Sequence, residues 1–201
     1  MKTFWNNRYQ EQPNLYGEHP NEYFAAILNQ LPPGKLLLPG EGEGRNALYA
    51  AKHHWEVTAF DQSEIAQAKC LEKAQSENLT VHYITADAKT FPFSQHKFDL
   101  IALIFFHLPR EERVDIHQKI SLALAENGSL LIEGFGKHQT QFASGGPKDP
   151  EMLYDLEELK QEFPDIEWTE SFDGEIELKE GRGHDGTAHV IRLLGKKSNT
   201  N

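Results

Sequence analysis

The residues of this chain that are best spaced for binding a ligand are three glycines at alternate positions. Residues 36–46 read LLLPGEGEGRN, in which Gly40, Gly42 and Gly44 follow a short apolar run and precede a helical pattern. Glycine lets a backbone turn sharply and approach a ligand closely, and the free amides of a first helical turn attract negative groups. This stretch therefore predicts a strand, a glycine-rich turn and a helix N-terminus that together form an anion-binding device.

Two aspartates further along the chain indicate the kind of ligand. Asp61 ends a second predicted strand about 20 residues after the glycine loop, the spacing at which a carboxylate accepts both hydroxyls of a ribose. Asp87 ends the third predicted strand, where a carboxylate can accept a hydrogen bond from the exocyclic amine of adenine. The alternatives are helix capping for Asp61 and an Asx-turn for Asp87. The spacing favours an adenosine that carries a further group at its 5′ end.

The glycine loop also limits what that further group is. A dinucleotide-binding loop follows the pattern G-x-G-x-x-G, which would place glycine where this chain has Arg45. Glu41 and Glu43 lie inside the loop and would repel a pyrophosphate. The loop therefore suits a smaller, less anionic group, such as a zwitterionic amino acid with a sulfonium. No G-K-[ST] sequence is present, so hydrolysis of nucleoside triphosphates is not expected.

The elements that must position these residues alternate between strands and helices. This order predicts an α/β protein with a Rossmann-like, mostly parallel seven-stranded sheet, helices on both faces and a C-terminal antiparallel hairpin. Sheets of this kind bind ligands outside the carboxyl ends of their strands. The predicted strands are residues 36–38, 56–60, 81–84, 98–105, 129–135, 166–178 and 188–194. The predicted helices are residues 20–31, 45–53 and 155–162, one that begins after Ser63 and a long one that begins at Pro109.

Length and composition favour one soluble domain. We expect a single domain over residues 1–195, an N-terminal lid and helix segment over residues 1–31, and a disordered tail over residues 196–201. The net charge of −11 argues against binding to nucleic acid or to an anionic membrane. One cysteine, Cys70, and no signal peptide or membrane-spanning run lead us to expect a cytoplasmic protein.

The motifs resemble a known family in their order and spacing. The series LLLPGEGEGRNA, VTAFDQS, ITADA and FDLIALIFFHLP is similar to the motif series of the class I S-adenosylmethionine-dependent methyltransferases. Residues 4–24 and 144–159 resemble the small bacterial branch that contains tellurite-resistance and thiopurine-type methyltransferases. The resemblance implies an enzyme that transfers a methyl group from S-adenosyl-L-methionine to a small-molecule acceptor.

The resemblance also implies which residues hold the cofactor. The glycine loop would take the methionine portion, Asp61 the ribose, Asp87 and the backbone of Ala88 the adenine, and Phe105 would border the methyl-bearing sulfur. The family often has an acidic residue where this chain has Leu38, and Glu41 is our candidate to replace it. The predicted cofactor-binding residues are Gly40, Glu41, Gly42, Gly44, Arg45, Asp61, Gln62, Asp87, Ala88 and Phe105.

Catalysis of methyl transfer mainly requires that nucleophile, methyl carbon and sulfur be aligned and that water be excluded. A soft nucleophile needs no strong base, whereas an oxygen or nitrogen acceptor must lose a proton, for which His107 and then His138 are the candidates. Tyr9 and Tyr16, with Trp5, are candidates for a lid whose rings face the sulfonium; packing in the core is the alternative. The predicted catalytic residues are His107, Tyr9 and Tyr16.

Two other functions are compatible with the sequence. One is an NAD(P)-dependent oxidoreductase on a related sheet, against which Arg45 counts. The other is a non-catalytic module that binds S-adenosylmethionine. No metal is expected, because the histidine pairs 53–54 and 184–189 have no carboxylate or cysteine at ligand spacing. We expect a monomer or a weak homodimer.

Overall fold

The structure is a computed structural model that describes residues 2–198. These residues include seven strands and six α-helices. The strands are β1 (Lys35–Pro39), β2 (Glu56–Asp61), β3 (His82–Thr85), β4 (Phe98–Ile104), β5 (Leu124–Phe135), β6 (Ile166–Lys179) and β7 (Asp185–Lys197). The helices are α1 (Lys2–Glu11), α2 (Glu22–Leu28), α3 (Arg45–Lys52), α4 (Glu64–Ser76), α5 (Arg110–Ala123) and α6 (Leu156–Gln161). None of these helices is long and apolar enough to cross a lipid bilayer.

All seven strands form one sheet in the order β3-β2-β1-β4-β5-β7-β6. The pairs from β3 to β5 are parallel, whereas β7 runs antiparallel to both β5 and β6. The predicted fold class, including the antiparallel hairpin at one edge, is confirmed. The chain leaves β1 towards β2 on one side and returns to β4 on the other, so the crevice beside β1 and β4 is the expected ligand site.

Two apolar cores cover the two faces of the sheet. Neighbouring side chains of β1 alternate between them: Leu37 belongs to the core with α5 and α6, and Leu36 and Leu38 to the core with α2, α3 and α4. Residues 100–104 of β4 are all buried, as expected for a central parallel strand. Such a sheet fixes the strand ends, and therefore the loops that follow them.

The first helix has no counterpart in the prediction. The segment KTFWNNRYQE has no apolar stripe at helical spacing, so its helix depends on contacts made after folding. Asn6 Oδ1 accepts a hydrogen bond from the Ser63 hydroxyl at 2.7 Å, and Lys69 donates to the carbonyl of Tyr9. The next helix begins at Glu22 and not at Pro20, because Asn21 caps it by accepting the Phe24 amide at 2.8 Å.

The predicted limits of the last strands require two corrections. β5 begins at Leu124 and not at Ser129. β7 extends to Lys197, and its Lys196 pairs with Ser129 on one side and with β6 on the other. The prediction of a disordered tail is therefore wrong for residues 196 and 197, and residues 199–201 lie outside the described residues.

Candidate functional site

A cavity of about 1130 Å³ opens at the carboxyl ends of the parallel strands. This volume exceeds that of most pockets for a single small molecule, so the cavity has room for a cofactor and a second molecule. Its walls come from the N-terminal segment, the loops after β1 to β5 and the turn between β6 and β7.

The glycine loop forms one wall of the cavity, and its three glycine positions leave no room for a side chain. Gly40, Gly42 and Gly44 have φ values of +64°, +62° and +89°, in the left-handed region that favours glycine. A Cβ atom on Gly40 would lie 2.7 Å from the ring of Phe106, and one on Gly42 would lie 2.5 Å from the hydroxyl oxygen of Tyr9. The predicted need for these glycines is therefore explained by close packing as well as by backbone conformation.

Glu41 occupies the helix N-terminus that the sequence had suggested as an anion site. Its Oε1 accepts hydrogen bonds from the amides of Asn46 and Ala47, each at 2.8 Å. The expectation that these amides are free is therefore wrong. Glu41 lines the cavity, and its role in place of an acid at Leu38 stays a prediction. Burial raises the pKa of Glu41 to about 7, against the hydrogen bonds that favour its ionised form.

Glu43, the second acidic residue of the loop, is directed towards the protein. Its carboxylate binds the Lys69 ammonium at 2.8 Å and accepts the Leu15 amide at 3.3 Å. It therefore ties the N-terminal segment to α4. Glu43 would therefore repel a pyrophosphate less strongly than Glu41 would, because the carboxylate of Glu41 lies on the amides that a phosphate would need.

Arg45, a predicted cofactor residue, lies in the cavity wall and anchors two distant segments. It donates to the carbonyl of Tyr16 at 2.8 Å and to Oε2 of Glu180 at 2.8 Å. Glu180 also accepts a hydrogen bond from the Asn21 side chain at 2.8 Å. Arg45 thus joins the N-terminal segment to the turn between β6 and β7.

Asp61 is held rigidly at the wall beside the glycine loop. Its Oδ2 accepts the Gly42 amide at 3.1 Å and its Oδ1 accepts the Ser63 amide at 2.8 Å. Burial raises the pKa of Asp61, and these amides oppose that shift. A carboxylate has about four acceptor positions, so these amides do not use all of them. Gln62 follows in the same wall.

Asp87 lies beside the cavity and not in its wall. Its Oδ1 accepts the Lys89 amide at 2.9 Å, the Asx-turn that was the alternative interpretation. The neighbouring Ala86 and Ala88 do line the cavity. The predicted role of Ala88 is therefore compatible with its position, whereas the contact of Asp87 with adenine stays a prediction.

Phe105 adopts a strained conformation at the end of β4. Its φ is +50°, which is uncommon for a residue other than glycine, and its amide donates to the Glu133 carbonyl at 2.7 Å. Its ring lies 4.7 Å from that of Phe135 and 4.3 Å from that of His184, centroid to centroid. The structure therefore brings Phe105 to the cavity, as predicted, with partners that the sequence did not reveal.

His107 is corrected from a catalytic base to a structural residue. Its Nδ1 lies 2.9 Å from the Met152 carbonyl, and its Nε2 accepts the Phe135 amide at 3.0 Å. Both ring nitrogens are thus bound to backbone, and burial lowers the pKa of His107 to about 4. His138, the second candidate, is exposed and does not line the cavity.

The aromatic residues of the N-terminal segment cover the glycine loop. Tyr9 is 4% exposed and stacks on Trp5, with 5.7 Å between ring centroids. Tyr9, Trp5 and Tyr16 all line the cavity. Burial, and then the charge of Asp61, raise the pKa of Tyr9 well above its usual value, so its hydroxyl stays protonated. These rings are packed at the cavity wall, and a lid that closes over a bound cofactor stays a prediction.

His184 is a cavity residue that sequence reasoning did not identify as part of the site. In the sequence it is distinguished only by its pairing with His189, and the glycine-punctuated turn around it carries no other signal. His184 lines the cavity, whereas His189 does not and binds Asp173 at 3.0 Å. Within residues 2–198 no three histidine, cysteine or acidic side chains lie close enough together to hold a metal ion.

Comparison with known proteins agrees with this geometry. Residues 37–128 match the model of a family described as a methyltransferase domain. This range includes the glycine loop, Asp61 and Phe105. No curated protein matches the chain.

Many solved structures share the fold. TehB from Haemophilus influenzae is 22% identical, with a TM-score of 0.75 over 96% of this chain and 67% of that chain. Magnesium protoporphyrin IX methyltransferase (ChlM) from Synechocystis with bound SAH is 12% identical, with a TM-score of 0.75 over 98% of this chain and 97% of that chain. A SAM-dependent methyltransferase from Methanosarcina mazei is 18% identical, with a TM-score of 0.69 over 90% of this chain and 99% of that chain. The predicted resemblance to the class I S-adenosylmethionine-dependent methyltransferases is confirmed at the level of the fold.

Proposed function

We propose that the protein is an S-adenosylmethionine-dependent methyltransferase that acts on a small-molecule acceptor. The observation that carries this proposal is the pairing of Asp61 with the amide of Gly42 at 3.1 Å. It fixes a carboxylate for a ribose diol next to a loop that closely approaches its ligand. The family match over residues 37–128 supports the same function.

Glu41 separates this function from nicotinamide-dependent oxidation. A pyrophosphate would need the amides at the start of α3, and Glu41 already accepts two of them, at 2.8 Å each. Its carboxylate would also repel the phosphates. A methionine moiety is zwitterionic and does not need the amides at the start of α3.

The bound cofactor would supply a methyl carbon already activated by a sulfonium. The chain's part is to hold the ligands in line and to keep water away. Asp61 and the loop backbone would bind the nucleoside and amino-acid portions. Tyr9 and Trp5 cover the loop, and Phe105 lies where β4 meets the cavity.

Two features support a small acceptor. The cavity is walled by the N-terminal segment and by the turn between β6 and β7, and about 1130 Å³ accommodates two small molecules. The net charge of −11 disfavours a nucleic acid.

Calorimetric titration with S-adenosylhomocysteine tests the cofactor. We expect wild-type binding and a more than about tenfold loss in Asp61→Ala, because a charged contact to both ribose hydroxyls is removed. Asp115→Ala is the matched control, since Asp115 is an exposed helical residue paired with Lys119. Absence of wild-type binding at millimolar ligand, or tighter binding of NADH, would overturn the proposal.

Methyl transfer is tested separately with methyl-labelled S-adenosylmethionine and a panel of thiols, phenols and amines. We expect labelled product with at least one of these acceptor classes. Cofactor binding without product from any of them would instead indicate a non-catalytic binding module.

A further inference from the structure

The far side of the cavity contains a histidine–carboxylate pair that is not among the predicted cofactor contacts. The predicted nucleoside contacts lie at the ends of β2 and β3, and the methionine contacts lie in the loop after β1. In the strand order, the space for an acceptor is therefore on the other side, near β4, β5 and β7. His184 and Glu180 lie on this side, around the turn that leads into β7.

The ring of His184 is fixed by aromatic neighbours from three parts of the chain. Its centroid is 4.5 Å from that of Tyr16, 4.3 Å from that of Phe105 and 5.1 Å from that of Phe135. His184 is 5% exposed, yet it lines the cavity. A ring held in this way is oriented before any ligand arrives.

Glu180 determines which nitrogen of His184 carries the proton. Nδ1 lies 3.4 Å from Oε2 of Glu180, and Arg45 and Asn21 each hold the same carboxylate at 2.8 Å. Although burial opposes ionisation, the hydrogen bond from His184 and the charge of Arg45 lower the pKa of Glu180 to about 2. An ionised Glu180 requires Nδ1–H as the donor, which leaves Nε2 with its lone pair.

Nε2 of His184 is the ring nitrogen that remains able to accept a proton. It makes no hydrogen bond to any residue between 2 and 198. Some buried polar atoms of this protein lack a partner and are also sealed from solvent, but Nε2 of His184 is not one of them. His107 provides the contrast, because both of its nitrogens are bound to backbone. Of these two cavity histidines, His184 therefore has the nitrogen able to take a proton from a ligand.

The charges around His184 keep it neutral at physiological pH. Burial lowers its pKa, and the cations Arg45 and Arg8 act in the same direction, whereas Glu180 raises it. His107 is a further titratable neighbour, and it is neutral. The ring is therefore a free base before reaction, and Glu180 can stabilise the imidazolium that forms.

We propose that His184 is the proton acceptor for methyl transfer, oriented by Glu180, and that the second molecule is a neutral hydroxyl, amine or thiol compound. This proposal rests on the proposed methyltransferase function. The X–H bond of the acceptor molecule breaks and its proton passes to Nε2. The electron pair of X forms the X–CH₃ bond, and the pair of the broken S–CH₃ bond remains on sulfur. The proton then leaves Nε2 for solvent.

Two acceptors that differ in their need for a base provide the test. Phenol is protonated at neutral pH, as tyrosine is, whereas thiophenol is largely ionised. In His184→Gln we expect kcat/KM for phenol to fall about 100-fold, the usual contribution of a base, and that for thiophenol to fall less than about threefold. S-adenosylhomocysteine affinity should not change. His189→Gln, which alters a buried histidine outside the cavity, is the matched control.

Nitrogen-15 NMR of the S-adenosylhomocysteine complex supplies a readout that needs no turnover. We expect His184 to be the Nδ1–H tautomer with a pKa below 6.5, and Glu180→Gln to disturb this tautomer. An Nε2–H tautomer would overturn the proposal. Equal losses for phenol and thiophenol, no loss for either, or methylation by the wild type of thiophenol alone would also do so.

Failure of the underlying function has a different signature. If the wild type does not bind S-adenosylhomocysteine, the methyltransferase proposal fails first. If it binds this ligand but methylates neither probe, the role of His184 is overturned while cofactor binding stands.

Discussion

The Glu41 side chain accepts the backbone amide of Ala47 at 2.8 Å, across the N-terminus of α3. The chain thereby places its own carboxylate where nucleotide-binding proteins of related fold place a phosphate. One glutamate thus caps the helix and occupies two of the amides that a pyrophosphate would need. The loop retains its backbone approach to the ligand without presenting a free helix N-terminus.

Stability variants can measure this capping role. Glu41→Ala should lower the free energy of unfolding by about 1–2 kcal/mol, because two helical amides lose their acceptor. Glu41→Gln should lose less, since an amide oxygen can accept the same hydrogen bonds. Urea unfolding at pH 5 measures both changes. An equal loss in the two variants would show that the capping interaction is not what stabilises the loop.

The raised pKa of Glu41 makes the free energy of unfolding depend on pH in a defined direction. The pKa of Glu41 is raised from 4.5 to about 7 in the folded protein. Between these values the folded state binds more protons than the unfolded state, so stability is present below pH 4.5 and is lost as pH rises towards 7. Glu41→Gln should remove this part of the pH dependence of unfolding. An unchanged slope in that variant would contradict the assignment.

The close contact between Gly42 and Tyr9 gives a further prediction. Gly42→Ala should destabilise the protein through its φ of +62° and through a Cβ placed 2.5 Å from the Tyr9 hydroxyl oxygen. Gly186→Ala is the matched control, because Gly186 has a φ of +101° with nothing within 4 Å of its Cβ position. Thermal unfolding should show a larger loss at Gly42.

A Tyr9→Phe background separates the two causes at Gly42. Removing the hydroxyl leaves the nearest ring atom at 3.2 Å from the Cβ position, so the cost of Gly42→Ala should fall towards that of Gly186→Ala. If the cost of Gly42→Ala is the same in both backgrounds, Tyr9 does not press on the glycine loop.

The sequence predicted those features that depend on local pattern. The buried run of β4 and the glycines at 40, 42 and 44 follow from apolar continuity and from backbone freedom. The capping by Glu41 was not predictable, because it depends on how the loop folds back over the helix that follows. The position of α1 was missed for a similar reason, since its segment has no apolar stripe.

The position of His184 in the cavity could not be predicted, because the residues around it are far apart in the sequence. Its neighbours Tyr16, Phe105 and Phe135 come from three separate segments, and only the folded sheet brings them together. His107 was chosen instead because it directly follows a strand end. That rule identifies which residues reach the site, but it does not show whether a ring nitrogen is already bound to backbone.

The neutrality of His107 can be measured directly. Its pKa is lowered from 6.5 to about 4 by burial. The unfolded chain therefore binds the extra proton between these values, and the stability contributed by His107 is lost as pH falls from 6.5 towards 4. An NMR titration should find its ring neutral, with the proton on Nδ1, throughout the range above pH 5. Protonation near pH 6.5 would contradict the buried arrangement.

Breaking the buried ion pair of Arg45 and Glu180 should cost more stability than breaking an exposed ion pair. Their side chains are 9% and 8% exposed and lie 2.8 Å apart, so Arg45→Ala leaves a buried carboxylate with only Asn21 and His184 as partners. We expect a loss of about 3 kcal/mol in the free energy of unfolding. Proteolysis of the N-terminal segment should also become faster, because Arg45 holds the Tyr16 carbonyl.

The control for this pair is the contact of Lys2 with Glu64, whose side chains are 54% and 58% exposed. Glu64→Ala should cost less than about 1 kcal/mol, since solvent screens the charges. Equal losses in the two variants would mean that the buried pair is no more important to stability than a surface contact. A large loss at Arg45 without faster proteolysis would show that the N-terminal segment is held by α4 through Glu43 and Lys69, and not by the turn that carries His184.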